Sequence, residues 1–272
     1  MAQPASDAQF AGSIPELYDT QMVPMIFEPY AVDLAARVAS FHPSRVLETA
    51  AGTGVVTRAM AKVLPPGTEI TATDLNQPML NRAADIGLFR PVRWQQADAT
   101  QLPFGDGTFD AVVCQFGAMF FPDRARAFSE ARRVLGRDGV LLFNVWDRIE
   151  ENEFAQTVTT ALAGLFPSDP PLFMARTPHG YFDRDAITRD LAAAGFGNAP
   201  EIETVAARSR SASARTAATA YCEGTPLRNE IEARSPAGLR AATETCAKAL
   251  AERFGAGPVD GRIQALVVTI RN

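Results

Sequence analysis

No stretch of 18 or more uncharged apolar residues occurs in the 272-residue chain. The opening residues, MAQPASDAQF, also lack a basic region followed by an apolar one. A membrane span and a secretory signal are therefore not predicted, and the expected location is the cytoplasm. Cysteine is scarce: Cys114, Cys222 and Cys246 form an odd set without metal-ligand spacing, so reduced thiols and no metal site are expected.

Charge and composition narrow the class of partner. The formal net charge of −5 weighs against nonspecific nucleic-acid binding, which requires basic side chains that neutralise many phosphates. Arg208, Arg210 and Arg215 form a loose basic cluster, but three charges among serines and alanines are typical of a solvated surface. With 47% apolar residues, the chain is predicted to be globular and to bind a small molecule, without a nucleic-acid or membrane partner.

Apolar runs alternate with helical patterns through the first half of the chain. Strands are predicted at 45–50, 69–74, 92–98, 109–117 and 139–147, with helices at 55–64, 77–87 and 122–136. This alternation predicts a parallel sheet covered on both faces. Helices are further predicted at 152–166, 183–196 and through most of 213–254 with interruptions at Pro226 and Pro236, and strands at 200–209 and 263–270.

The N-terminal region has a different pattern. Residues 1–12 are predicted to be disordered or loosely attached. A helical pattern follows from Ser13 as far as Phe41, and breaks are expected at Pro24 and Pro29 because proline lacks the N–H that a helix interior requires.

Polar residues lie at the ends of four of the first five predicted strands. The carboxyl ends of parallel strands form the edge at which open α/β sheets bind ligands. The candidate contacts are Glu48, Asp74, Asp98 and Gln115 at the strand ends, with Gly52 and Gly54 in the turn after the first strand.

The turn LETAAGTGVV (47–56) fits two classes of cofactor. A dinucleotide fingerprint requires G-x-G-x-x-G, but Gly52-Thr53-Gly54 is followed by Val55, Val56 and Thr57, so the third glycine is missing. Glu48 would repel a pyrophosphate, whereas it suits an ammonium group. An NAD(P)-dependent oxidoreductase is thus disfavoured and remains the alternative enzyme.

The combination of these motifs resembles a known family. The segment E-x-A-x-G-T-G (48–54), Asp74, Asp98-Ala99 and the block LPFGDGTFDAVVCQFGAMFFPDRARAFSEARRVLGRDGVLLFNVWD (102–147) are similar to the class I S-adenosylmethionine-dependent methyltransferases. The similarity is strong over about 44–147 and greatest to the small-molecule branch that contains the ubiquinone and menaquinone methyltransferases. It implies a Rossmann-like α/β fold: a doubly wound sheet of about seven strands, the last antiparallel, with helical cap elements.

The resemblance also implies a reaction and its site. The chain would transfer a methyl group from S-adenosyl-L-methionine to an O, N or C atom of a small-molecule acceptor by in-line attack, and would release S-adenosyl-L-homocysteine. The turn would hold the amino-acid end of the cofactor, Asp74 the ribose, and the remaining residues the adenine or the inner end of the site. The implied contacts are Glu48, Ala50, Gly52, Thr53, Gly54, Asp74, Leu75, Met79, Asp98, Ala99 and Gln115.

One implied contact departs from the family pattern. Ala50 stands where the family usually has its first glycine, and alanine is tolerable there if its φ stays negative.

The resemblance implies a single domain over 1–272. Its parts are an N-terminal helical segment (1–43), a cofactor-binding core (44–147), acceptor-side cap elements (148–200 and 210–258) and a closing strand (263–270). The aromatic N-terminal residues Tyr18, Phe27 and Tyr30 would pack on the sheet, close over the cofactor, or both. A non-catalytic binding protein of this fold is a further alternative, and the chain is expected to be a monomer or a homodimer.

No general base is assigned firmly, because the sulfonium methyl group is already activated. His179, in TPHGYF, is interpreted first as a structural or surface residue, with a general base at the acceptor site as the alternative. Cys114 is expected to be a buried apolar residue of a strand and His42 a surface residue.

Overall fold

A computed structural model describes residues 7, 10, 12, 14–235 and 238–272. Within them a single sheet has the order β3-β2-β1-β4-β5-β7-β6, with β7 antiparallel. Its strands are β1 (Arg45–Glu48), β2 (Glu69–Asp74), β3 (Arg93–Gln96), β4 (Phe109–Gln115), β5 (Leu135–Trp146), β6 (Glu201–Ser211) and β7 (Val259–Arg271). The predicted Rossmann-like class I fold is confirmed.

Helices connect these strands in the predicted order. They are α1 (Ile14–Leu17), a π-helix (Tyr18–Phe27), α2 (Glu28–Ser40), α3 (Val55–Val63), α4 (Gln77–Ile86), α5 (Arg124–Val134), α6 (Glu153–Leu165), α7 (Phe173–Arg176), α8 (Arg184–Ala193), α9 (Ala214–Glu223), α10 (Leu227–Arg234) and α11 (Leu239–Phe254). The short helix α7 lies between the helices predicted at 152–166 and 183–196, where no element is predicted. Pro226 immediately precedes α10 as expected, whereas Pro236 lies outside the described residues.

The chain divides into two compact units. The core unit comprises 29–145, 181–205 and 265–272, and the helical unit comprises 1–28, 146–180 and 206–264. In the core unit, β1 is parallel to both β2 and β4: Val46 is opposite Ile70 on one side and Ala111 on the other. These side chains and those of Val56 and Met60 on α3 are buried, so continuous apolar strands and one apolar helix face form the core.

The predicted breaks in the N-terminal helix are wrong. Helical structure runs from Ile14 to Ser40 through both prolines. Pro24 lies inside the π-helix, whose hydrogen bonds span one residue more than those of an α-helix; this altered pattern accommodates the missing N–H. Pro29 is the second residue of α2, which follows the π-helix directly.

The segment 1–12, predicted to be loosely attached, is described only at residues 7, 10 and 12. The prediction is wrong at Asp7, which is 3% exposed. Its carboxylate accepts hydrogen bonds from Arg176 Nη2 at 2.8 and 2.9 Å and from Thr177 Oγ1 at 2.5 Å. A buried carboxylate requires such partners, and they lie far along the chain, where sequence patterns do not reveal them.

Candidate functional site

Strand order reverses at the boundary between β1 and β4. The chain passes from β1 to β2 and β3 on one side, and β4 and β5 lie on the other. In open α/β sheets the ligand crevice forms beyond the carboxyl ends of the strands at such a point. Glu48 ends β1, Asp74 ends β2 and Gln115 ends β4, so these three predicted contacts lie at one edge of the sheet.

The turn after β1 is fixed by its backbone. Ala51 N donates to Thr73 O at 2.9 Å, and Gly54 N donates to Ala51 O at 2.9 Å. Gly54 has φ +81°, and a Cβ there would lie 2.8 Å from Trp94 Cη2, so both the turn and the close approach of β3 require glycine. Gly52, with φ +55°, also occupies the left-handed region.

Alanine at position 50 is expected to be tolerated only with a negative φ, but the φ of Ala50 is +52°. A left-handed conformation costs a non-glycine residue about 1–2 kcal/mol. Phe116, after β4, has φ +50°, so two strained residues flank the β1–β4 boundary. Strain of this kind concentrates at functional sites. A Cβ added to Gly117 would lie 2.4 Å from Ala50 Cβ, so the alanine methyl fits only because residue 117 is glycine.

Glu48 is 1% exposed. Thr57 Oγ1, on α3, donates to its Oε2 at 2.5 Å. Desolvation is the largest influence and raises the pKa of Glu48 to about 8, although the Thr57 hydrogen bond and the nearby Arg58 oppose the rise. A carboxyl group held in this way stays mostly protonated at pH 7, and a cationic ligand group would restore its charge.

Asp74 makes backbone contacts that its sequence position did not reveal. Oδ2 accepts from Gly52 N at 2.8 Å, and Oδ1 accepts from Asn76 N at 2.8 Å. Burial raises the pKa of Asp74, while these backbone donors act in the opposite direction. Each carboxylate oxygen has two lone pairs, so Asp74 can hold the glycine turn and still accept from a ligand diol.

The other predicted contacts differ in exposure. Thr53 is 1% exposed, and within the described residues its Oγ1 has no hydrogen-bond partner. Met79 is buried, with Cε 3.5 Å from the position of a Gly52 Cβ, whereas the apolar Leu75 is 53% exposed. Asp98 is exposed and accepts from Thr100 N at 2.8 Å; Ala99 beside it is half-buried.

Asn144 lies beside the candidate contact Gln115, and no role was predicted for it from the sequence. It is fully buried on β5, where Oδ1 accepts from Phe116 N at 3.0 Å and Nδ2 donates to Gln115 Oε1 at 3.4 Å. It therefore holds the strained end of β4. A single polar residue within the apolar run GVLLFNVW was the signal available in the sequence.

His179 lies in the helical unit and is 4% exposed. Its Nδ1 is 2.9 Å from Asp147 O, and desolvation lowers the pKa of His179 to about 4. Of the expected structural or surface role, the surface alternative is wrong, because the ring is buried beside Trp146 at a centroid distance of 6.0 Å.

The three cysteines are buried, and the arginines of the basic cluster form ion pairs. Cys114, Cys222 and Cys246 are buried free thiols, as expected for Cys114. Arg208 and Arg210 both pair with Asp260, and Arg215 pairs with Glu244. No helix in the described residues is long and apolar enough to cross a membrane, and no group of three metal-ligating side chains occurs among them.

Comparison with known proteins agrees with this geometry. A family model described as "Methyltransferase domain" matches residues 47–143. Demethylmenaquinone methyltransferase of Thermus thermophilus is 34% identical over 187 residues, which are 64% of this chain and 82% of that protein. Malonyl-[acyl-carrier protein] O-methyltransferase of Geobacter sulfurreducens is 36% identical over 155 residues, covering 57% of this chain and 56% of that protein.

Among solved structures, the YcgJ protein of Bacillus subtilis superposes with a TM-score of 0.57 at 20% identity, over 90% of this chain and 98% of that one. The [4+2]-cyclase SpnF has a TM-score of 0.54 at 20% identity, over 89% and 80%. At these identities the likeness concerns the fold alone. The sequence relatives decide the class: the chain belongs to the class I S-adenosylmethionine-dependent methyltransferases and is an enzyme of that family.

Proposed function

We propose that this chain transfers the methyl group of S-adenosyl-L-methionine to a small-molecule acceptor and releases S-adenosyl-L-homocysteine. The observation that carries the proposal is Glu48, a buried carboxyl group at the end of β1 whose side chain, among the residues that the structure describes, is hydrogen-bonded by Thr57 alone. An ammonium group, such as that of the methionine part of the cofactor, would supply the missing charge.

The residues around the turn fit this cofactor. Thr53 Oγ1, buried and without a partner among the described residues, lies just before the N-terminus of α3, where a carboxylate is favoured. A buried unpaired hydroxyl costs about 1–3 kcal/mol unless a ligand satisfies it. Such a ligand would be the cofactor's carboxylate, since the absent third glycine disfavours a dinucleotide.

Each predicted contact has a part in holding the cofactor. Glu48, Ala50, Gly52, Thr53 and Gly54 would hold its amino-acid end, and Asp74 its ribose hydroxyls. The apolar Leu75 and Met79 would lie against the adenine, with Asp98 and Ala99 at its amino edge. Gln115 would lie at the inner end. When bound, S-adenosyl-L-methionine supplies an electrophilic methyl group. The protein would accelerate the transfer by orienting the reactants and excluding water.

The relatives named for quinones support a small-molecule acceptor, and the relatives together do not fix the attacking atom. Their names describe a demethylmenaquinone methyltransferase, a ubiquinone/menaquinone C-methyltransferase and a malonyl-carrier O-methyltransferase, at 34%, 29% and 36% identity. Transfer to carbon or to oxygen is therefore equally consistent with these relatives. We further propose that the chain acts in the cytoplasm as a monomer or homodimer, and that acceptor recognition depends on the segments 148–200 and 210–258.

Two titrations test the cofactor assignment. Calorimetry should show binding of S-adenosyl-L-homocysteine and none of NADH; tight NADH binding without S-adenosyl-L-homocysteine binding would refute it. The Thr53→Val variant sharpens the test, because it is nearly isosteric and removes only the hydroxyl. We expect it to unfold at a higher urea concentration than the wild type and to bind S-adenosyl-L-homocysteine about threefold to tenfold more weakly, the worth of one hydrogen bond. An unchanged dissociation constant would remove Thr53 from the site.

Turnover should then be followed with S-adenosyl-L-methionine over a panel of acceptors: hydroxylated aromatic rings, amines and carboxylic acids. Release of S-adenosyl-L-homocysteine that depends on the acceptor is the expected result. Binding without turnover of any panel member would indicate that the acceptor belongs to another class.

A further inference from the structure

Arg58 lies near the start of α3, beside the turn that follows β1. Its guanidinium Nη1 donates to Thr53 O at 2.5 Å, and its backbone N donates to Gly54 O at 2.9 Å. The side chain is half-buried, so water screens its charge only in part. The N-terminal end of a helix already presents positive charge from the peptide dipoles, and a cation there is unfavourable for the helix. Arg58 therefore adds to the positive charge at this turn.

The charge of Arg58 reaches the carboxyl group of Glu48. Burial is the largest influence on the pKa of Glu48 and raises it. The hydrogen bond from Thr57 and the positive charge of Arg58 act in the opposite direction, and the charge of Asp74 raises the pKa further. All of these residues belong to the core unit. An acidic and a basic side chain therefore act at the same turn, which is the turn proposed to hold the amino-acid end of the cofactor.

The two side chains favour different parts of a ligand. Glu48 alone would attract any ammonium group, whether or not a carboxylate accompanies it. A ligand that ends in an amine brings a second positive charge to the turn, where Arg58 and the N-terminus of α3 both repel it. A ligand that ends in an amino acid brings an ammonium group for Glu48 and also a carboxylate, which Arg58 and the helix attract.

We propose that Arg58 is a specificity-determining residue: its positive charge makes the turn select the amino-acid end of S-adenosyl-L-methionine and reject the same cofactor without its carboxyl group. This inference rests on the proposed methyltransferase function and adds to it the class of ligand that the turn excludes. Arg58 acts through Thr53, whose carbonyl oxygen it holds, and through space on the charges of the ligand.

Three adenosine thioethers that differ only in the tail test this role. S-adenosyl-L-homocysteine ends in an amino acid, its decarboxylated analogue ends in an amine, and 5′-methylthioadenosine ends in a methyl group. The wild type should bind S-adenosyl-L-homocysteine more tightly than the decarboxylated analogue by at least about tenfold, because hydrogen bonds to charged groups are the stronger ones. Dissociation constants come from calorimetry at low ionic strength, since salt screens the interaction.

Arg58→Gln is the decisive variant, because the glutamine amide can still donate to Thr53 O while the positive charge is lost. It should lower the preference for S-adenosyl-L-homocysteine over the decarboxylated analogue by about threefold to tenfold and leave the affinity for 5′-methylthioadenosine unchanged. Arg58→Met, which keeps the aliphatic stem but has no donor, should lower the same preference. Arg58→Lys keeps the charge and should retain most of the preference.

Lys62→Gln is the matched control, because it also removes one positive charge from α3. Lys62 is exposed and lies in the last turn of the helix, so its charge is screened by solvent. This variant should change none of the three affinities.

The outcomes separate the two levels of inference. If the wild type binds S-adenosyl-L-homocysteine without preference over the decarboxylated analogue, the role of Arg58 is overturned and the methyltransferase function stands. The same holds if Arg58→Gln keeps the wild-type preference, or if it weakens all three ligands by the same factor, as a purely structural contact would. If S-adenosyl-L-homocysteine does not bind at all, the proposed function itself fails.

Discussion

The turn around Glu48 in the core unit and the segment around His179 in the helical unit are assembled over different distances along the chain. In the core unit, Thr57 contacts Glu48 nine residues away, and Asp74 holds Gly52 across 22 residues. In the helical unit, Asp147 contacts His179 across 32 residues, and Asp7 contacts Arg176 across 169. The family model matches residues 47–143, which lie in the core unit.

In the proposed function, the turn around Glu48 holds the cofactor. A strand–turn–helix sequence carries such a site in one contiguous stretch, so many enzymes can share it. We therefore expect substitutions around Glu48 to alter cofactor affinity, and substitutions around His179 to leave it unchanged.

The largest effect is expected from Glu48→Gln. The variant keeps the size of the side chain and a partner for Thr57, but removes the charge that would pair with the ammonium group. Truncating one partner of a buried charge pair costs about 2–5 kcal/mol, so the dissociation constant for S-adenosyl-L-homocysteine should rise at least about thirtyfold. Glu130→Gln is the matched control: Glu130 is also buried, but it pairs with Arg133. It should lose stability and keep its cofactor affinity.

Glu48→Gln should weaken cofactor binding, but it should stabilise the ligand-free protein relative to the wild type as pH rises. The pKa of Glu48 is raised from 4.5 to about 8 in the folded protein, so between these values the folded state binds more protons than the unfolded state. Stability of the ligand-free wild type therefore falls as pH rises from about 5 to 8. Glu48→Gln should show a shallower fall in urea unfolding over this range. Equal slopes for the two proteins would contradict the buried, protonated state of Glu48.

Asp74→Ala is expected to weaken S-adenosyl-L-homocysteine binding by more than tenfold. It removes the ribose acceptor and leaves the N–H groups of Gly52 and Asn76 without their partner. Because the second effect loosens the turn, urea unfolding must accompany the calorimetry. A loss of stability with an unchanged dissociation constant would assign Asp74 a purely structural role.

How far the sequence predicts this molecule follows from the same difference in contact distance. Although β1 and β4 end two residues before their predicted ends at 50 and 117, the strand end at Asp74 could be placed from its local hydrophobic run. The positive φ of Ala50 could not, since it depends on the space left by Gly117 on another strand's end. The π-helix through Pro24 and the burial of Asp7 likewise depend on partners that no local pattern specifies.

The Ala50–Gly117 contact offers a double-mutant test of strain in the core unit. Gly117→Ala would place a methyl group 2.4 Å from Ala50 Cβ and 2.7 Å from Cys114 Sγ, an overpacking worth about 1–3 kcal/mol of destabilisation. Ala50→Gly alone removes the left-handed strain and should be neutral or stabilising by up to about 1 kcal/mol. Combined, they should recover part of the loss, because the Cys114 contact remains. Strict additivity of the two free energies of unfolding would show that the residues do not interact.

The smallest effect is expected from Asp7→Asn in the helical unit. Asp7→Asn weakens the buried contacts to Arg176 and Thr177, but Arg176 keeps its bond to Glu230 and asparagine keeps an acceptor oxygen, so we expect a loss of about 1 kcal/mol. Asp169→Asn, at an exposed pair with Arg234, is the matched control and should change stability by less than about 0.5 kcal/mol. Because Asp7 and its partners Arg176 and Thr177 all lie in the helical unit, Asp7→Asn should leave S-adenosyl-L-homocysteine affinity constant. A parallel loss of cofactor affinity would mean that cofactor binding depends on these contacts of the helical unit.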